Sequence, residues 1–166
     1  MDNEKQELDA VIDWVQVTFK ELDHNDIMNY ILQFDKELMT HESKGRFRYA
    51  GKWVFGGIEI LTPPNDYLEM GFHIYMTGSA CRSFEIYLRA QKRTWFDFFR
   101  DCLSYNGKFT RLDIAIDDRK PYLEIRETGQ HLHPCCLLGS LLMKKHKHRQ
   151  SILKQYLIHF DIQGNI

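Results

Sequence analysis

The stretch Phe109–Asp118 reads FTRLDIAIDD, and its alternation decides the fold. On an extended chain successive side chains point to opposite faces. Arg111, Asp113, Ala115 and Asp117 therefore share one face, and Leu112, Ile114 and Ile116 the other. The apolar trio explains itself as one side of a core packed against helices. The charged face leaves two readings open: a solvated sheet surface, or a strand that presents carboxylates to a ligand. Asp113 and Asp117 lie four residues apart, roughly 13 Å along a strand, too far to bind one metal ion directly. One can be a ligand while the other positions substrate, works through water or caps the strand end. Asp118, just past the strand, is equally available. Hard oxygen donors of this kind suit magnesium or manganese, the ions of phosphodiester chemistry.

Outward from that strand, the chain alternates strand and helix signals. Residues 11–20 (VIDWVQVTFK) read as a first strand. Asp23 or Asn25 can cap a helix over Ile27–Met39, where Ile27, Tyr30, Ile31, Phe34 and Leu38 fall at helical spacing. Arg46–Leu61 predicts a hairpin that turns near Gly51 or at Gly56-Gly57, and Pro63-Pro64-Asn65-Asp66 breaks the pattern. Leu68–Thr77 predicts a further strand, with Phe72, Ile74 and Met76 on one face and His73 and Tyr75 on the other. Ser79 opens a long helix to about Tyr105, which Asn106-Gly107 stops. The order β-α-β-β-β-α-β contains a ferredoxin-like βαββαβ unit with one extra strand. The expected class is α+β, an antiparallel sheet covered on one face by two helices. Ser151–Phe160 reads as helix or strand, and the chain stops at DIQGNI without a closing element, as expected of a truncated domain.

A chain of 166 residues with 43% hydrophobic and 27% charged residues is an ordinary globular composition of about one domain. No stretch approaches the roughly 18 apolar residues of a membrane span, and the polar N-terminus MDNEKQELD is no targeting signal. A cytoplasmic protein is expected, and its four cysteines should then be free thiols. Net charge is −1 with histidines neutral, so no global basic field draws the chain to nucleic acid. Any such binding has to come from a local concentration of basic groups. Lys144–Arg149 (KKHKHR) is the densest run; Lys144, Lys145 and Arg149 can contact a phosphate backbone or form a solvated face. Trp14, Trp53 and Trp95 can stack on unpaired bases. Trp95 falls on a helical core stripe, whereas Trp53 lies near a hairpin turn and is the candidate contact. His131-Leu132-His133-Pro134-Cys135-Cys136 has the look of a zinc cluster, but adjacent cysteines chelate one ion poorly and no second Cys pair exists.

Gly78–Glu85 (GSACRSFE) is a glycine turn opening a helix. Free backbone N–H groups and Arg82 in the first turn can hold a phosphate, or Arg82 can pair with Glu85 or the sheet. Cys81 beside a helix N-terminus is either an activated thiol or a small buried residue, the latter being the simpler account.

Three segments occur together in a telling order: IDWVQVTF near the start, GFHIYMTGSACRSFE in the middle and FTRLDIAIDDRKPYLEI after it. Over about residues 10–125 the chain resembles the replication initiation factor family, the rolling-circle plasmid initiators and the relaxases of integrative conjugative elements. That resemblance implies that residues 1–125 are the N-terminal part of a catalytic domain, with 126–166 a less certain tail. It implies origin-DNA binding and metal-dependent nicking and closing of one strand through a phosphotyrosine, with a divalent cation (Mg or Mn) polarising the scissile phosphate. Asp113 falls where the family's motif carries its acidic residue and is the first choice of ligand, followed by Asp117 and Asp118. Arg111, Arg82, Trp53 and the Lys144–Arg149 run are the expected DNA contacts. No tyrosine here matches the family's nucleophile, which is expected outside the chain. The alternative is a non-catalytic DNA-binding or regulatory fragment. The resemblance also suggests a homodimer.

Overall fold

In a computed structural model the described residues are 8–118, 141–146 and 154–160. They form one eight-stranded sheet in the order β2-β3-β4-β5-β1-β6-β8-β7. The strands are β1 (Leu8–Phe19), β2 (Thr40–Glu42), β3 (Gly51–Phe55), β4 (Ile58–Thr62), β5 (Phe72–Met76), β6 (Lys108–Asp118), β7 (Leu141–His146) and β8 (Lys154–Phe160). Every ladder between described strands is antiparallel. Within the sheet, β4-β5-β1-β6 is the four-stranded ferredoxin-like core, and the fold is α+β as expected. The extension is larger than one strand: β3 and β2 continue beyond β4, and β8 and β7 beyond β6.

Helices cover one face. From β1, β4 and β5 that face receives Val15, Val17, Phe19, Ile58, Ile60, Ile74 and Met76, all fully buried. The helical side contributes Phe84 and Leu88 from α2 (Gly78–Ala90) and Phe98 and Cys102 from α3 (Trp95–Ser104). The predicted hairpin turns at Gly56 and Gly57, whose φ of 54° and 83° suit a two-residue turn that matches the twist of β3 and β4.

Both predicted helices are shorter than their sequence periodicity implies, and one cause breaks both. Asp23 caps α1 (His24–Asp26) by accepting from the amides of Asn25 and Asp26. The chain then widens into a π-helical turn over Ile27–Leu32, which buries Ile27, Met28, Ile31 and Leu32 together. Gln33 ends it at a left-handed φ of 55°. The carbonyls left over are satisfied from the other predicted helix, which is interrupted at Lys92 (φ 57°). Beyond that break Arg93 donates to the Ile31 carbonyl at 3.1 Å, and Gln91 Nε2 donates to the Gln33 carbonyl at 2.6 Å. A cation at a helix C-terminus is favourable on two counts, hydrogen bonding and the helix dipole. Thr94 restarts the helix with a capping box to Asp97.

Two bulges place the side chains of the β1–β6 pair. The β1–β6 register slips between Ile12 and Trp14 and again between Gln16 and Val17. The first slip makes Asp13 an extra residue on β1, and the second makes Thr110 extra on β6. Consequently Phe109 and Leu112, three residues apart, both pack on the helix-covered core while Arg111 turns to the other face.

Candidate nucleic-acid interface

The face opposite the helices carries the chemistry. On β6, Arg111 and Asp113 sit two residues apart and point the same way, and the carboxylate of Asp113 is fully buried. Arg111 Nε lies 3.1 and 3.0 Å from the two carboxylate oxygens, and Nη2 lies 2.5 Å from Oδ2. This is a planar, charge-assisted fork. The guanidinium also stacks on the Trp14 ring at 3.6 Å. Trp14 meets Tyr75 of β5 edge-on at 5.6 Å. Tyr75 in turn lies under Arg46, whose guanidinium is 4.6 Å from the ring centre, and beside Phe47 at 5.7 Å.

The row ends on a second buried carboxylate. Glu59 of β4 is 6% exposed and accepts from Arg46 at 2.7 Å and Lys52 at 3.1 Å on Oε1. Its Oε2 has no hydrogen-bond partner. Beside it, Thr18 Oγ1 is 2.9 Å from His73 Nδ1, and Tyr49 stacks on the His73 ring. Burial pushes His73 down to about 4, so the ring is neutral at ordinary pH.

The structure brings some of the anticipated residues together and separates others. Arg111 and Asp113 meet. Asp117 and Asp118 fall at the end of β6, opposite Gln155 and Lys154 of β8. Lys144 and Lys145 lie on β7, opposite Leu157 and Tyr156, while Arg149 and the His131–Cys136 segment lie outside the described residues. Trp53 packs on the helix-covered side, stacked at 4.9 Å between its neighbours β2 and α1 on His24. Arg82 donates to the Ile12 carbonyl and pairs with Glu85 at 3.3 Å. Cys81 is buried and its thiol is pushed up to about 12 by that burial, so the neighbouring helix start does not activate it.

Trp14, one of the three tryptophans considered for base stacking, stacks on Arg111 instead, and the residues that sequence reasoning did not single out are Glu59, His73 and the Arg46–Tyr49 loop. A signal for the loop exists, since Lys44–Lys52 (KGRFRYAGK) interleaves four cations with two aromatics, the pattern expected of a nucleic-acid contact. For Glu59 there is none, because its burial depends on which strands flank β4. Among the described residues no three His, Cys, Asp or Glu side chains cluster as a metal site.

An antiparallel sheet covered by helices on one face and lined on the other with aromatics and guanidinium groups is a common frame for binding nucleic acid. Residues 9–101 match the family model of the rolling circle replication initiation protein N-terminal domain, and the chain belongs to that family. Over 119 residues it is 39% identical to a Bacillus subtilis (strain 168) protein described as "Putative DNA relaxase NicK". The alignment takes in 71% of this chain and 33% of that protein, so the chain spans about a third of the length of the relative it matches. No solved structure matches it.

Proposed function

We propose that the chain is the origin-binding part of a rolling-circle initiator or relaxase, and that the sheet face opposite the helices is where it holds the strand to be nicked. The observation that carries this is the Arg111–Asp113 fork on the interior strand β6 of a chain belonging to the initiator family. Arg111 is the planar bidentate group suited to a phosphodiester, and it is parked on a carboxylate of matching geometry. DNA binding transfers the guanidinium from Asp113 to a phosphate.

The donor set fits a magnesium or manganese ion in one respect. Such an ion keeps several waters and takes the remaining oxygens from one or two carboxylates and from substrate phosphates. Asp113 supplies one carboxylate on the face that carries the phosphate-binding group, and in this reading it holds the cation once Arg111 is drawn away. Bound there, the ion polarises the scissile phosphate. The chain's own residues bind and orient: Trp14 supports one face of the Arg111 guanidinium, and β6 places Arg111 and Asp113 side by side on one face of the sheet. In this reading the nucleophilic tyrosine is supplied from outside these 166 residues.

The test is to mix the 166-residue protein with a labelled single-stranded origin oligonucleotide and manganese. Expected are gel retardation, manganese binding lost in Asp113→Ala, and no covalent adduct. Formation of a protein–DNA adduct by these residues alone overturns the placement of the tyrosine. Retardation with no manganese binding in the wild type leaves a DNA-binding module without a cation role for Asp113.

A further inference from the structure

The loop between β2 and β3 lies over the sheet face opposite the helices. Phe47 and Arg48 have φ of 53° and 69°. Two consecutive non-glycine residues in the left-handed region, one of them bulky, carry strain that surrounding structure has to hold in place. Here it is held by several contacts. The Tyr49 amide donates to the Arg46 carbonyl at 2.9 Å, and the Ala50 amide to the Thr62 carbonyl at 2.9 Å. A side chain on Gly45 would run into the Tyr49 carbonyl. Arg46 is tied down by Glu59 and Tyr75, and Tyr49 by His73.

What this arrangement holds out is a phenyl ring. Phe47 is 61% exposed. Arg48 beside it is exposed, as is Lys44, and among the described residues neither makes an ion pair. Arg46 keeps two-fifths of its side chain open to solvent despite its pairing with Glu59. A flat apolar ring flanked by cations matches a base flanked by phosphates. Only an unpaired strand offers a base face, because a duplex hides its faces in the stack.

We propose that Arg46–Tyr49 is a single-strand clamp: one base of unpaired DNA stacks on Phe47, and Arg46 and Arg48 take the flanking phosphates. The clamp rests on the reading of the face opposite the helices as the DNA site and adds to it the residues that take hold of an unpaired strand. Phe47 lies beside Tyr75, Tyr75 meets Trp14, and Trp14 carries Arg111, so a strand stacked on Phe47 would run across the sheet toward β6.

Fluorescence anisotropy with labelled twelve-nucleotide oligo-dT and a duplex of the same length tests it, using the whole 166-residue protein. The wild type should bind the single strand more tightly than the duplex. Phe47→Ala should weaken single-strand binding about tenfold, Phe47→Trp should keep it, and Arg48→Ala should lower the salt dependence by about one phosphate contact. Thermal melting of each variant confirms the fold, which an exposed side chain should not disturb. Wild-type affinity in Phe47→Ala, or an equal loss for duplex and single strand, overturns the clamp while leaving the face opposite the helices as the DNA site. No binding of either oligonucleotide by the wild type, down to low salt, overturns both.

Discussion

Arg111 closes on Asp113 with two nitrogens, 3.0 Å from Nε and 2.5 Å from Nη2 to the same carboxylate oxygen, along a single strand in which the two residues are next-but-one neighbours. The acid is fully buried, whereas the guanidinium side chain is 29% exposed. That asymmetry sets the cost of breaking the pair. Removing Arg111 leaves a carboxylate in the interior without its fork of donors, whereas removing Asp113 leaves a cation that still reaches water. Arg111→Leu should therefore cost on the order of 3 kcal/mol and Asp113→Asn distinctly less. Urea denaturation of the two variants and of the double variant checks it; the double variant should recover much of the loss of Arg111→Leu, and equal single costs would contradict the asymmetry.

His73 predicts a pH dependence. Burial holds its folded-state value down to about 4, against an ordinary value near 6.5. Between those two values the unfolded chain takes up a proton that the folded chain refuses, so stability falls as pH drops through this window and levels off below it. The shift corresponds to roughly 3 kcal/mol at most. His73→Gln should flatten the stability profile between pH 4 and 6.5; a slope unchanged from wild type would place the titrating group elsewhere.

The central strand was legible because period two is a local property. The strand β6 spans Lys108–Asp118, nearly the stretch that alternation marks, and the Gly56-Gly57 turn and the core residues Phe84 and Phe98 follow from equally local signals. Sequence does not show that β6 is interior to the sheet. β1 lies on one side of it and β8 on the other, and Asp113 and Ala115 are both buried, so the reading of a solvated face does not hold at these two positions. The helix breaks were illegible for a related reason. Gln33 and Lys92 adopt left-handed conformations so that Gln91 and Arg93 can reach carbonyls some 60 residues earlier, a contact no local window contains.

That contact carries a prediction of its own. Arg93 is bonded to the Ile31 carbonyl and, at 2.6 Å, to Asp101 of α3, and its side chain is 11% exposed. It joins the end of the π-helical turn to the helix that packs beside it. Arg93→Met preserves the aliphatic stem and removes only the donors, and should cost about 2 kcal/mol. Amide exchange should speed up at Ile31–Phe34 and Trp95–Ser104 together; acceleration at one alone would mean the two segments open independently.

Cys81 and Cys102 are buried free thiols on α2 and α3. The same burial that packs them against the sheet opposes their ionisation, holding Cys81 at about 12 and pushing Cys102 higher still. A thiol alkylates through its thiolate, so two independent barriers act on each, low thiolate population and no access for reagent. Iodoacetamide at pH 8 should modify both at least about a hundredfold more slowly in the folded protein than in urea, read peptide by peptide by mass spectrometry. Fast native labelling at Cys81 would mean that the start of α2, where Gly78 lies against Asp13 and Arg82 reaches the Ile12 carbonyl, opens far more readily than its packing indicates.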